Sequence, residues 1–269
     1  MHPKKKGGTT MRTIRLLMFM GAAVVLLATS MPLHASEADD RIESSAQKSY
    51  VFKTYLEDDD IKVRSRDGVV TLTGTVSDES HRSLAQETVA ELPGVKSVNN
   101  RLEVKGERLS KNSDAWIRTK VKTTLLLHRN VSGIKTKVDV KDGIVTLKGV
   151  ATSEAQKELA AEYAKDVEGV KDVKNKMTVS ETTKTSDGTM GEFIDDASIT
   201  AQVKMALLFH RSTSAISTDV ETNDGVVILS GKAQNPEEKA LVTKLVTDIR
   251  GVKDVVNNMT VEESLPGSG

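Results

Sequence analysis

Polar and apolar residues alternate along "DGVVTLTGTV" (67–76): Val70, Leu72 and Val76 point one way, and Thr71, Thr73 and Thr75 the other. A period of two is that of a strand with one buried face. The preceding "IKVRSR" (61–66) alternates in the same manner. Asp67-Gly68 between the two runs predicts a tight hairpin, because both central turn positions require a positive φ. The period then changes. In "SDESHRSLAQETVAEL" (77–92), Leu84, Ala85, Thr88, Val89 and Leu92 share one face at helical spacing, and "GVKSVNNRLEV" (94–104) restarts a strand.

The pattern returns as "DGIVTLKGVA" (142–151) and "DGVVILSGKA" (224–233), with Asp-Gly turns spaced 75 and 82 residues apart. A second phrase travels with it: "LPGVKSVNNRL" (92–102), "VEGVKDVKNKM" (167–177) and "IRGVKDVVNNM" (249–259). In every copy the second glycine (Gly94, Gly169, Gly251) lies 26 residues after the turn glycine (Gly68, Gly143, Gly225). A fixed offset in three copies is the mark of one domain triplicated. A helix precedes each hairpin, carried by Ile117, Val121 and Leu125 in the second copy and by Ile199, Val203 and Leu207 in the third. Asn235-Pro236 predicts a helix start, an N-cap followed by proline at the first helical position. The predicted fold is α+β: three tandem αββαβ units, each a three-stranded sheet covered on one face by two helices. The expected units are residues 40–105, 114–180 and 194–263, joined by polar linkers at 106–113 and 181–193 and followed by a flexible tail at 264–269. Units of this size bury thin cores, so docking between them is expected.

The hairpin DGxVxLxGxV, followed at that offset by GVxxVxN, resembles the BON domain, named for bacterial osmotically inducible periplasmic and nodulation proteins. The resemblance spans most of the chain and implies an αββαβ unit, a place in the cell envelope and a non-catalytic role. It also implies phospholipid binding and service under osmotic or envelope stress. The copies differ: Thr71 and Thr146 become Ile228, and Lys232 stands where Thr75 and Val150 stand.

The N-terminus changes the picture of compartment. "MHPKKKGGTTMRTIR" is basic, residues 16–33 carry no charge, and "LHASEADD" offers a small-residue cleavage context. This order predicts a signal peptide over 1–35, cleaved near Ala35, and a periplasmic mature protein. An uncleaved anchor is the alternative. Without cysteine there are no disulfides, thiolate metal sites or lipoprotein anchor. Residues 36–269 hold 33 basic and 38 acidic side chains, a balance that speaks against nucleic acid as a partner.

Enzyme signatures fail on spacing. "GVVILSGKA" places five residues between Gly225 and Gly231 where a phosphate loop needs four, and Ala233 replaces the hydroxyl residue. "EDDD" (57–60) lacks the glycine and glutamate of a calcium loop and reads as a solvated charge run. No cofactor, metal site or catalytic residue is expected. Charge is more informative: the first and third copies each carry net −4, the second +4. The second also holds the only tryptophan, Trp116, at a position that is Arg41 and Ser198 elsewhere. Trp116 with Arg118, Lys120, Lys122, His128, Arg129, Lys135 and Lys137, and Lys141 further along the same strand, forms a candidate lipid-binding face, suited to anionic phospholipid. Two other readings stand beside it: Trp116 packs against a neighbouring unit, or the face meets an envelope protein. His128-Arg129 recurs as His210-Arg211. Cations there either favour a helix C-terminal dipole or contact a headgroup. The function expected is peripheral association with anionic envelope phospholipid; the alternative is a periplasmic chaperone or adaptor.

Overall fold

The computed structural model describes residues 33–105, 113–131, 136–180, 193–213 and 218–262. The expected signal peptide through residue 32, nearly all of both linkers, the tail and Lys135 lie outside the described residues.

Unit 1 contains α1 (Leu33–Lys48), α2 (Tyr50–Thr54), β1 (Asp60–Arg66), β2 (Val69–Val76), α3 (Glu79–Ala90) and β3 (Ser97–Val104). Unit 2 contains α4 (Asp114–Leu127), β4 (Thr136–Lys141), β5 (Ile144–Ala151), α5 (Glu154–Lys165), β6 (Asp172–Asn175) and β7 (Thr178–Val179). Unit 3 repeats this with α6 (Asp196–Phe209), β8 (Thr218–Asn223), β9 (Val226–Ala233), α7 (Pro236–Thr247), β10 (Asp254–Asn257) and β11 (Thr260–Val261). In each sheet the hairpin is antiparallel and the last strand joins its second arm in parallel. Unit 1 has one continuous third strand, whereas units 2 and 3 break it after Asn175 and Asn257. The two helices of each unit cover one sheet face. Val70, Leu72 and Val76, with Leu84, Ala85, Thr88 and Val89 of α3 and Leu92 just past its end, are all buried.

Three devices explain the repeated phrases. The turn residues Asp67, Asp142 and Asp224 have φ near +50°, and the glycine after each lies near +80°. A first-helix aspartate holds each turn: Asp39 accepts from the amides of Asp67 (2.7 Å) and Gly68 (3.0 Å), Asp114 from Asp142 and Gly143, and Asp196 from Asp224 and Gly225. The asparagine ending GVxxVxN ties strand to helix. Asn100, Asn175 and Asn257 donate to the carbonyls of Arg82, Lys157 and Lys239 and accept from the amides of Leu102, Met177 and Met259. The second motif glycine sits where a side chain would strike a neighbouring strand: a Cβ on Gly74 would lie 1.9 Å from the Asp60 carbonyl oxygen.

The units dock, with unit 3 between the others. Its α6 is buried nearly all round, including the polar Ser198, Thr200 and Gln202. A helix apolar on all sides belongs inside a protein. Unit 1 shares a continuous apolar core with unit 3, to which unit 2 adds Leu127 and Leu126 from the end of α4, while the rest of unit 2 keeps its own. Unit 1 seats α2 on the N-terminal half of α6: the amide of Tyr50 donates to Asp195 (2.7 Å), that of Val51 to Ser198 (3.1 Å), and the Tyr55 hydroxyl to Gln202 (3.1 Å).

Candidate functional site

The expected lipid face is divided by this docking. At the end of α4, His128 is the C-cap, 2% exposed, and stacks on Tyr163 with ring centres 3.8 Å apart. The amide of Arg129 donates to the Asp248 carbonyl, and its guanidinium to the carbonyls of Thr247, Ile249 and Val252 in unit 3. The third copy does the same in reverse: the Arg211 amide donates to the Asp166 carbonyl, and its guanidinium to those of Lys165 and Val170. The isolated bridges His128–Ile249 and His210–Val167 complete the exchange. Since each residue meets the counterpart of its own partner, units 2 and 3 form a pseudo-twofold pair within one chain.

His128 and Arg129 are therefore corrected from headgroup contacts to docking residues. The helix ends that the two arginines reach are not those of their own helices: the Arg129 guanidinium meets the end of α7, and that of Arg211 the end of α5. Lys120 is corrected as well. It is 5% exposed, bonds Glu168 at 2.8 Å, and lies 3.7 Å over the Trp116 ring and 5.1 Å from that of Phe209 in unit 3. A buried ammonium is tolerated because a carboxylate and two aromatic faces replace its water. Trp116 is half-buried, its ring edge against the Gly169 turn. The same face in unit 3, Ser198 and Gln202, holds α2 of unit 1. In unit 2 Trp116 and Lys120 fill it themselves.

What remains open to solvent is the sheet face turned away from the helices. Lys137, Asp139 and Lys141 on β4, Ile144, Thr146, Lys148 and Val150 on β5, and Asp172 and Lys174 on β6 alternate with the buried Val138, Val140, Val145 and Leu147. Asp139 is held below the usual carboxylate range by a hydrogen bond from Lys148 (3.0 Å), with Lys137 and Arg118 close by. Arg118 is half-buried and Lys122 exposed. Of the predicted face, Arg118 and Lys137 thus meet at the β4 edge with Lys141 on the same strand, while Lys148 and Lys174 were missed. Their signal was the strand alternation itself. The corresponding face of unit 3 carries Asp219, Glu221 and Asp254 against Lys232, so opposite charge on one fold persists at the level of a single face.

A Ser, His and Asp do meet in unit 1. Asp59 accepts from the amide and hydroxyl of Ser77 (2.7 and 2.8 Å) and lies 2.5 Å from His81 Nδ1. The hydroxyl of Ser77 reaches the same ring nitrogen at 3.0 Å. In a relay the acid and the nucleophile bond opposite nitrogens of the imidazole, so this cluster pins the start of α3 instead. It also corrects the reading of "EDDD" as wholly solvated, since the Asp59 side chain is 1% exposed. Among the described residues no group of acidic or histidine side chains is arranged to hold a metal, and no helix is long and apolar enough to cross a membrane.

The family model described as "BON domain" matches residues 38–106, 113–181 and 195–263. The chain belongs to the BON-domain family. Its relatives include "Osmotically-inducible protein Y" of Escherichia coli (strain K12), 33% identical over 146 residues, covering 54% of this chain and 71% of that protein. "Outer membrane lipoprotein DolP" of Haemophilus influenzae is 28% identical over 162 residues, 57% of this chain and 81% of its own. The "21 kDa hemolysin" of Actinobacillus pleuropneumoniae is 34% identical over 116 residues, covering 42% and 59%. The three BON domains correspond to the three units described above.

Proposed function

We propose that this triple-BON chain is a non-catalytic periplasmic protein that associates peripherally with anionic phospholipid and supports the envelope under osmotic stress. The observation carrying the reading is the solvent-facing lysine array of unit 2 (Lys137, Lys141, Lys148 and Lys174), with Arg118 at its edge. Exposed Val150 and half-buried Ile144 offer shallow apolar contact within it. Each basic residue held near an anionic surface contributes about 1 kcal/mol, and the attraction falls off within a Debye length. The names of the osmotically inducible and outer-membrane relatives support the setting.

Vesicle flotation tests it. The mature chain binds vesicles containing phosphatidylglycerol, binding weakens in high salt, and vesicles of phosphatidylcholine alone do not bind. Reversing two charges in Lys137→Glu/Lys148→Glu lowers affinity at least about 30-fold, from about 1 kcal/mol per charge removed. Undiminished binding by that variant refutes the assigned face.

One observation favours a protein partner instead. A groove of about 280 Å³ runs between unit 1 and unit 3, floored by Met205, Leu207 and Val220 and flanked by the half-exposed Leu208 and edge strand β8. A chaperone or adaptor would use it with little dependence on salt.

A further inference from the structure

The interface between units 2 and 3 buries two histidines whose neighbours leave little place for a second ring proton. His128 faces Thr124 on its own helix, Tyr163 and Asp166 of the α5 end, and His210, Asp248 and Ile249 from unit 3. His210 faces Asp166 and Val167 across the interface, His128, and Arg211 and Ser212 on its own segment. His128 Nδ1, His210 Nε2 and the Thr124 hydroxyl are buried without a hydrogen bond, around a cavity of about 10 Å³. On the other side of the His210 ring, Nδ1 accepts from the Ser212 amide at 3.2 Å. A proton added there would oppose an N–H that already points at it.

We propose that acid undocks unit 2 from unit 3, with His128 and His210 as the groups whose protonation drives them apart. The charge balance favours opening. Arg129 and Arg211 already place two guanidinium groups on the interface carbonyls, so two imidazolium ions would set four cations against the carboxylates of Asp166 and Asp248. The Asp248 carboxylate already accepts from the Tyr163 hydroxyl at 2.6 Å, and that of Asp166 stands 3.8 Å from His210. Neither lies within hydrogen-bonding distance of an imidazole. Burial, the largest influence on both rings, pulls His128 from 6.5 to about 4 and, with Arg211 beside it, lowers His210 too, against the raising influence of the Asp248 and Asp166 carboxylates and of the Asp248 backbone carbonyl at His128. A histidine held below its free value binds fewer protons docked than undocked. Docking is therefore at full strength above pH 6.5 and weakens as the pH falls toward 4, by about tenfold per pH unit from His128, with His210 acting in the same direction. Opening takes Phe209 away from Lys120, which keeps Glu168 and Trp116, releases Arg129 from its carbonyls, and changes the surroundings of Trp116. None of this depends on which surface the protein binds.

The test follows the full mature chain from pH 7.5 to 4.5 by small-angle scattering, Trp116 emission and far-ultraviolet circular dichroism. The expected result is a rise in radius of gyration and a shift in emission within that range while the helical signal stays constant. His128→Phe keeps the ring stacked on Tyr163, and His210→Asn keeps an acceptor for Ser212. Together they move the transition down by at least about one pH unit. A chain that stays compact to pH 4.5, or variants that open where the wild type does, overturn the proposal. Histidine ring NMR on the wild type gives an answer even if the variants misfold. Ordinary titration of both rings near 6.5 without a change in size also overturns it.

Discussion

At the residue scale, the repeated phrases are solutions to backbone problems. Asp67-Gly68 requires positive φ at two successive positions, and Asp39 holds the turn by taking both of its amides. The hydrogen bond from the Ser65 hydroxyl, followed by those turn amides, keeps the Asp39 carboxyl below its usual value of 3.8; the turn amides act alike on Asp114. A carboxylate with a depressed pKa stabilises above its unfolded value and ceases to do so as the pH falls through the folded one. The turns are therefore expected to loosen only below about pH 3.8, beneath the range in which the histidine interface opens. Gly74→Ala drives a methyl group onto the Asp60 carbonyl at a position with φ of +118°. The strain should lower the stability of unit 1 by about 3 kcal/mol, read from its urea midpoint. The turn and its glycines were legible because their chemistry is local. The aspartates that hold them were not noticed, although Asp39, Asp114 and Asp196 each precede the turn by 28 residues. Asp114 and Asp196 open their helices, where the dipole alone favours an acid, while Asp39 lies further into α1, so only the common spacing carried the signal.

At the element scale, helix and strand assignments rest on periodicity, and the structure agrees with them because each unit has one buried sheet face. The break of the third strand in units 2 and 3 was not legible. Asn175 and Asn257 turn their side chains back to a helix carbonyl and to the amide two residues on, and pairing resumes only at Thr178 and Thr260. Asn100 makes equivalent bonds within an unbroken strand. Asn175→Ala removes both bonds and leaves the Lys157 carbonyl without its side-chain partner. A cost of about 1–2 kcal/mol to unit 2 is expected from thermal unfolding, with little effect on unit 1. The sequence of α6 gave a warning of its burial, since alanines, a serine and a glutamine surround the predicted apolar stripe where α3 has charges. Small and uncharged residues on a nominally exposed face permit close packing.

At the scale of the molecule, the chain is assembled by two different kinds of contact. Unit 1 joins unit 3 through a common apolar core and the salt bridges of Lys204 to Glu87 and Glu91. Units 2 and 3 join by reciprocal arginine contacts on carbonyls. Arg129→Ala and Arg211→Ala should each loosen the pair, read as a larger radius of gyration at neutral pH, and the double variant should separate it while unit 1 stays on unit 3. Docking was the part of the site least visible beforehand. Lys120, His128 and Arg129 are residue types that usually face water, and only the partner's carbonyls and rings explain their burial. The surviving cationic face was partly visible, because a sheet with helices on one side must expose the other.

Position along the chain and position in space disagree: in sequence the units run 1, 2, 3, and in space unit 3 stands in the middle. A chain delivered from its N-terminus presents units 1 and 2 first, and each can close its own hairpin and helices. Neither has its main neighbour until the last third has emerged. Until then α2 has no α6 to cap it, and Arg129 has no carbonyls to meet. Assembly therefore waits on the C-terminal unit. A chain cut short near residue 190 would keep two intact folds and lose the quaternary-like order between them, so loss of the final segment should cost more than one third of the protein.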